Sequence, residues 1–315
     1  MPSKRIDLAL AYIYKMTDET GLIEHAKFSE PNKAEGYSTD DNARAYQAML
    51  SLGRPRRNVY LDFLKRAVGK DGFHNDMDEG GEWIDEPGLG EWFGRAMVAV
   101  DLGIKIGDPK EKGECRRIWD KAKPAFTQVT SRRTMAQLAL AGVPQMADKL
   151  VAVWEENRTD DWEWFEEGLY YDNARLPHAL LTAGKIIPGK ITLDWLINKL
   201  WDEKMNCFSF VGQAGWWRKG EPKAEFDQQP VEAGGMVEAC MAAYRATKDK
   251  KYLDWANMAY EWYFGRNIIK ESLVDEKTGS IRDGFNSLEC SLNEGAEAVL
   301  SFVLASINLM ENEIS

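Results

Sequence analysis

Carboxylates are the reactive groups this chain concentrates. Ser38-Thr-Asp40-Asp41-Asn-Ala-Arg44 sets two aspartates side by side, and Tyr170-Tyr-Asp172-Asn-Ala-Arg175 is a near copy of it. Phe226-Asp227-Gln228-Gln229-Pro230-Val-Glu232 is a third block, and Asn293-Glu294-Gly-Ala-Glu297 a fourth. One acid that keeps its proton and one that loses it are what glycosidic bond cleavage uses. The carboxyl groups stand roughly 6.5–9.5 Å apart for inversion and about 5–5.5 Å for retention. Asp40 and Asp227 are the leading acid/base candidates, because the repeated pattern demands neither. Asp41 and Asp172 stand in reserve: they recur at equivalent positions ahead of their helices and equally suit N-caps. Glu232, at a third helical position, and Glu294, in Ser291-x-x-Glu294, suit capping as well as substrate binding.

Aromatic residues crowd the same connections. Of 12 tryptophans, Trp83, Trp92, Trp162, Trp164, Trp216 and Trp217 fall in them, along with Tyr171. Indole and phenol faces stack on the C–H faces of sugar rings, while acids and amides such as Gln228 take the hydroxyls. Packing of the loops onto the scaffold is the other use for these rings. His178, three residues after Arg175, suits either a pocket or the core.

Other chemistries find little support. Three histidines (His25, His74, His178) and no Cys-x-x-Cys make no zinc set. No Gly-x-Ser-x-Gly, P-loop or strand-borne Gly-x-Gly-x-x-Gly is present. Neither metal nor cofactor is expected. A net charge of −11 repels phosphate backbones and argues against nucleic acid. The longest mostly apolar run, 298–310, falls short of the ~20 residues a membrane span needs. Scattered cysteines (Cys115, Cys207, Cys240, Cys290) read as reduced buried thiols, and residues 1–5 lead into an amphipathic stretch. A cytoplasmic protein with a carbohydrate substrate is the expectation.

The elements that would hold these residues repeat. Asn42-Ala-Arg44, Gly94-Arg95-Ala, Arg133-Thr-Met and Asn173-Ala-Arg175 each open an Ala/Leu/Met-rich segment. Each segment ends in a glycine eight or nine residues after the arginine, where an αL C-cap belongs. Looser copies start at Pro230 and Asn293. Between them lie amphipathic helical patterns over about 5–16, 57–69, 109–123, 144–157, 191–201 and 249–264. Six alternations predict an all-α fold, an (α/α)6 barrel or six-hairpin toroid, spanning 1–315 as one catalytic domain. Inner helices are expected to start near 41, 92, 131, 172, 230 and 294. Connections of about twenty residues or more lead into four of them, so one face should form a walled funnel, low at hairpin three. Asp40, Asp41, Asp172 and Asp227 are expected on its floor.

With these blocks in view, the chain resembles the six-hairpin glycosidase superfamily. Thr39-Asp-Asp-Asn-Ala-Arg-Ala45, Trp164-Phe-Glu, Tyr171-Asp-Asn-Ala-Arg-Leu-Pro177, Phe226-Asp-Gln-Gln-Pro-Val-Glu-Ala233 and Asn293-Glu-Gly-Ala-Glu297 are similar to blocks of its glycosidase-like domains. Such domains accompany glycosyltransferases or mannan-processing proteins. The tandem Asp40-Asp41 is similar to the adjacent aspartates that carry catalysis in endo-α-1,6-mannanases of this fold. The resemblance implies a glycoside hydrolase acting through paired carboxylates. The alternatives are a non-catalytic glycan-binding or glycosyltransferase-associated domain, or a sugar phosphorylase or epimerase on the same barrel.

Overall fold

The computed structural model describes residues 2–313. Among them twelve α-helices alternate between two concentric layers. The inner layer is α2 (Thr39–Ser51), α4 (Glu91–Ile106), α6 (Arg132–Leu140), α8 (Arg175–Thr182), α10 (Pro230–Thr247) and α12 (Ala296–Glu313). The outer layer is α1 (Pro2–Lys15), α3 (Arg57–Ala67), α5 (Pro109–Ala122), α7 (Pro144–Asn157), α9 (Ile186–Leu200) and α11 (Lys250–Glu261). Each inner helix packs on the next, α12 packs back on α2, and α1 lies on α12. That closure makes the six hairpins an (α/α)6 barrel rather than an open solenoid. None of the described helices is long and apolar enough to cross a membrane.

The composition of each layer follows from its surroundings. Outer helix α3 buries only Tyr60, Leu61, Phe63, Leu64 and Ala67, a single stripe. Inner helix α10 touches α8, α9, α11 and α12 and buries every residue from Pro230 to Ala243. At the closest approach only glycine fits. A Cβ at Gly234 would land on the Ser301 Oγ and stand 3.0 Å from the Tyr263 hydroxyl. Gly234→Ala should therefore cost about 1–3 kcal/mol in urea unfolding; an unchanged midpoint would contradict this packing.

The repeat is less uniform than its sequence suggests. Gly53, Gly142 and Gly184 have φ of 60°, 79° and 78° and terminate their helices as expected. Gly103 does not: α4 continues to Ile106, and the glycine lies where a Cβ would strike the Cys115 Sγ. It serves close packing of α4 on α5.

Connections into the inner helices all open on one face: 16–38, 68–90, 123–131, 158–174, 201–229 and 262–295. Antiparallel ribbons tie them to one another. Tyr37–Ser38 pairs with Asp76–Met77, and Gly168–Leu169 with Trp217–Arg218. Neighbouring hairpin loops are thus stitched into a common wall, and hairpin three, whose connection is mainly the short helix Lys123–Gln128, forms its low side.

Candidate active site

Two tiers of charge close the bottom of the funnel. Carboxylates at or near the starts of the inner helices form the upper tier, and arginines one turn deeper form the lower. The repeated Arg44, Arg95, Arg133 and Arg175 are these arginines. Arg44 Nη2 reaches Asp40 Oδ2 at 2.5 Å, Glu297 Oε1 at 2.9 Å and Asp41 Oδ1 at 3.2 Å. Arg95 binds the same Asp40 oxygen, donates to the Tyr171 hydroxyl at 3.0 Å and pairs with Asp172 Oδ2 at 3.3 Å. Arg133 donates to the Tyr171 carbonyl and pairs with Glu166 at 3.0 Å. Arg175 holds Asp172 at 3.1 Å through Nε and Glu238 through Nη1. Tyr171 in turn donates its hydroxyl to Glu297.

The environment sorts these acids by proton affinity. Burial alone would raise Asp40, but Arg44 and Arg95 outweigh it and hold the carboxyl below its ordinary value. Asp172 is buried too and is held down by Arg175 and Arg95. Glu24 and Glu91 go the other way. Burial, then the repulsion of Asp76 and Asp40, raises Glu24 to about 7. Burial raises Glu91 to about 7 against Arg95 and Arg133. Asp41 is pushed up to about 8 by burial despite Arg44, with Glu24 and Asp40 adding to the rise. Ionised and proton-holding carboxyls therefore lie side by side, the arrangement that assigns acid and base roles.

Three pockets open off this floor. One of about 420 Å³ is lined by Glu24, Asp40, Asn75, Glu91, Trp92, Arg95 and Tyr171. Its neighbour, about 180 Å³, is lined by Glu24, His25, Asp40, Asp41, Arg44, Gln229, Asp283 and Glu297. Glu24 and Asp40 line both and so stand at their junction. A third, about 240 Å³, adjoins the second through Gln229 and Asp283 and contains Asp227.

No protein-family model and no curated protein matches the sequence. Solved structures do match it over nearly all its length. The crystal structure of a D-mannose isomerase superposes with a TM-score of 0.71 at 14% identity, over 99% of this chain and 97% of that one. Cellobiose 2-epimerase from Spirochaeta thermophila gives 0.63 at 12%, over 99% and 97%. The cellulase Cel9M of C. cellulolyticum gives 0.59 at 10%, over 99% of each. This chain has the (α/α)6-barrel fold of these structures. At these identities the likeness concerns the fold.

Within this barrel, the sequence candidates part company. Asp40 and Asp41 reach the floor, but Asp41 is the third residue of α2 and not its cap. Ser38 is the N-cap, its Oγ accepting from the Asp41 N–H at 3.2 Å. Asp172, at φ 46°, precedes α8 and is buried against arginines, lining none of the three pockets. The cap of that segment comes from the neighbouring inner helix α10: Glu232 accepts from the N–H groups of Asp172 at 2.5 Å and Asn173 at 3.3 Å. Asp227 departs from expectation, because a left-handed turn (φ 60°) leaves it exposed outside the floor. Glu294 also departs: α12 starts at Ala296, so no capping box forms with Ser291, and its carboxyl interacts with Ser280. Gln228 is buried, taking the Phe210 N–H and donating to the Glu225 carbonyl.

The tryptophans divide similarly. Trp92 walls the larger pocket, its Nε1 donating to the Phe73 carbonyl at 2.8 Å. Trp164 is fully buried and stacks on Trp195, while Trp162 packs edge-on to Trp195 and Trp217, so this cluster fastens its loops to α9. Trp83 stacks on His74, and Trp216 meets Tyr170 edge-on. Arg175 and His178 face the space below the arginine tier. Sequence reasoning missed Glu24 and Glu91. Glu91 had a signal, an acid one turn before Arg95; Glu24 sits in a connection with no motif.

The burial of Glu232 beside Asp172 has a pH signature, which its hydrogen bonds to Asn173 only partly offset. Burial and the charge of Asp172 raise its carboxyl from the ordinary 4.5 to about 8. A raised folded value means its contribution is complete below 4.5 and is lost as pH rises through 8. The urea midpoint should fall between about pH 5 and pH 9, and Glu232→Gln should flatten that fall. An identical slope in the variant would count against this assignment.

Proposed function

We propose that the chain is a carbohydrate-active enzyme, a glycoside hydrolase in which Glu24 is the general acid and Asp40 the base or nucleophile. The observation that carries this is the place of these two carboxyls at the junction of adjacent pockets. A glycosidic bond whose sugars occupy the two pockets lies between them. Glu24, at about 7, retains a proton for the leaving oxygen near neutral pH. Asp40, held ionised by two arginines, activates water or attacks the anomeric carbon. Asp41 keeps its proton and so spares Asp40 a second adjacent charge. Asp172 positions Arg95 and Arg175. Trp92 offers a stacking face, and Asp227 serves an outlying subsite beside Asp283 and Gln229.

A second reading has a specific observation behind it. A carboxyl near 7 also suits abstraction of a proton next to a carbonyl, and the isomerase and epimerase neighbours share this barrel. Incubating the purified protein with defined oligosaccharides and with free hexoses, with and without phosphate, separates the two. Hydrolysis predicts shorter products and no interconversion of monosaccharides. Interconversion without cleavage would replace the hydrolase reading, and glycan binding without any turnover would remove catalysis altogether.

A further inference from the structure

The barrel is not filled below its arginine tier. A cavity of about 330 Å³ lies among the inner helices there. Its wall includes Ser51, Thr182 and Arg245, exposed residues at the C-terminal ends of α2, α8 and α10. It therefore opens on the face opposite the funnel, where the connections are short. Arg44, Arg95 and Arg175 are its ceiling, and Gln47, Gln137 and His178 stand about one turn lower.

Several polar groups in this wall have no protein partner. Arg44 makes its ion pairs through Nη2, and Arg175 makes its own through Nε and Nη1. Nη1 of Arg44 and Nη2 of Arg175 are left without a carboxylate among the described residues. Gln137 is 4% exposed, yet its side-chain amide bonds to no described residue. Burial and Arg175 hold His178 neutral, with Nδ1 3.2 Å from Arg175 Nη1. Beside Arg44, Arg95 and Arg175 the lining has one carboxylate, Glu238, which Arg175 binds; the carboxylates that pair with Arg44 and Arg95 lie in the tier above. Val98 and Leu102 of α4 and Leu304 of α12 add apolar surface on either side of α2. Guanidinium forks that face a cavity match oxyanions.

We propose that this chamber binds a small oxyanion-bearing metabolite, its phosphate or carboxylate group held on Arg44 and Arg175 and its body against the apolar side chains of α4 and α12. The ligand enters from the face opposite the funnel and shares Arg44 with Asp40 above it. Binding at one site is thereby coupled to the charge of the other, and the coupling is reciprocal.

Calorimetric titration of the full chain with inorganic phosphate, and separately with malonate, at constant ionic strength tests this. One saturable site is expected for at least one of the two anions. Phosphate alone would identify a phosphate ester as the ligand class, and malonate alone a carboxylic acid. Thr182→Glu and Ser51→Glu place a negative charge at the exposed mouth and should each weaken binding at least tenfold. Thr182→Gln should bind as the parent does. Absence of saturable binding by both anions, or undiminished binding in both glutamate variants with unchanged circular dichroism, would overturn the proposal.

Discussion

Asp40→Asn should lower kcat by about 10²–10⁴-fold while leaving substrate affinity within a few-fold. The substitution keeps the shape of the side chain and removes the charge that either base or nucleophile needs. Folding should survive, because Arg44 retains Glu297 and Asp41, and Arg95 retains Asp172. Single-turnover and binding measurements on the oligosaccharide found by screening separate these effects. Near-normal turnover would remove Asp40 from the chemistry. A parallel loss of affinity and thermal stability would make it a scaffold residue.

Arg95→Met should be the most destabilising change in the site, costing about 3–5 kcal/mol in urea unfolding. The side chain is buried and serves Asp40, Asp172 and Tyr171, from two segments of the ring. Its loss leaves two buried carboxylates each one cation short. Arg95→Lys should rescue little, since a point charge cannot fan out to three partners. Acid sensitivity should change as well. Asp40 and Asp172 have folded values below 3.8, so they stabilise the protein above 3.8, and that contribution is lost as pH falls through the lowered values. Without Arg95 those values rise, and acid unfolding should begin at a higher pH than in the parent. A variant with the parent's stability and acid limb would contradict the two-tier account.

The barrel was legible because its signals are periodic and local. Arginine starts, small-residue bodies and closing glycines recur, and five of the six inner helices begin within two residues of their expected positions. α8 is the exception, starting at Arg175 although its opening copies that of α2. The difference lies in the preceding backbone: Ser38 offers α2 a capping hydroxyl, whereas Asp172 turns left-handed and hands its N–H to Glu232. Such a cap comes from sixty residues further along the chain and has no local signature. Gly103 shows the same limit, as its role depends on Cys115 in the next helix.

The site was legible in kind more than in membership. Acids clustered at helix starts identify the funnel and Asp40. Which acid faces Asp40 depends on how the connections fold back. Glu24 enters the floor because its neighbour Ile23 bridges to Tyr37 and its own carbonyl receives the Ala296 N–H. Asp227, next to a buried Gln228, is turned outward by a left-handed residue that composition does not announce. Tryptophan number signalled long, well-fastened loops as much as sugar stacking, as Trp162 and Trp164 show.

The most direct measurement is the single-turnover rate of leaving-group release by Glu24→Gln from two substrates of the same sugar, the natural oligosaccharide and a dinitrophenyl glycoside. Dinitrophenolate leaves without a proton, so an enzyme lacking only its general acid still cleaves that substrate. The account predicts near-complete loss of oligosaccharide cleavage with dinitrophenyl glycoside cleavage largely retained. Equal loss on both substrates, or no loss on either, would contradict the assignment of Glu24 as the acid opposite Asp40.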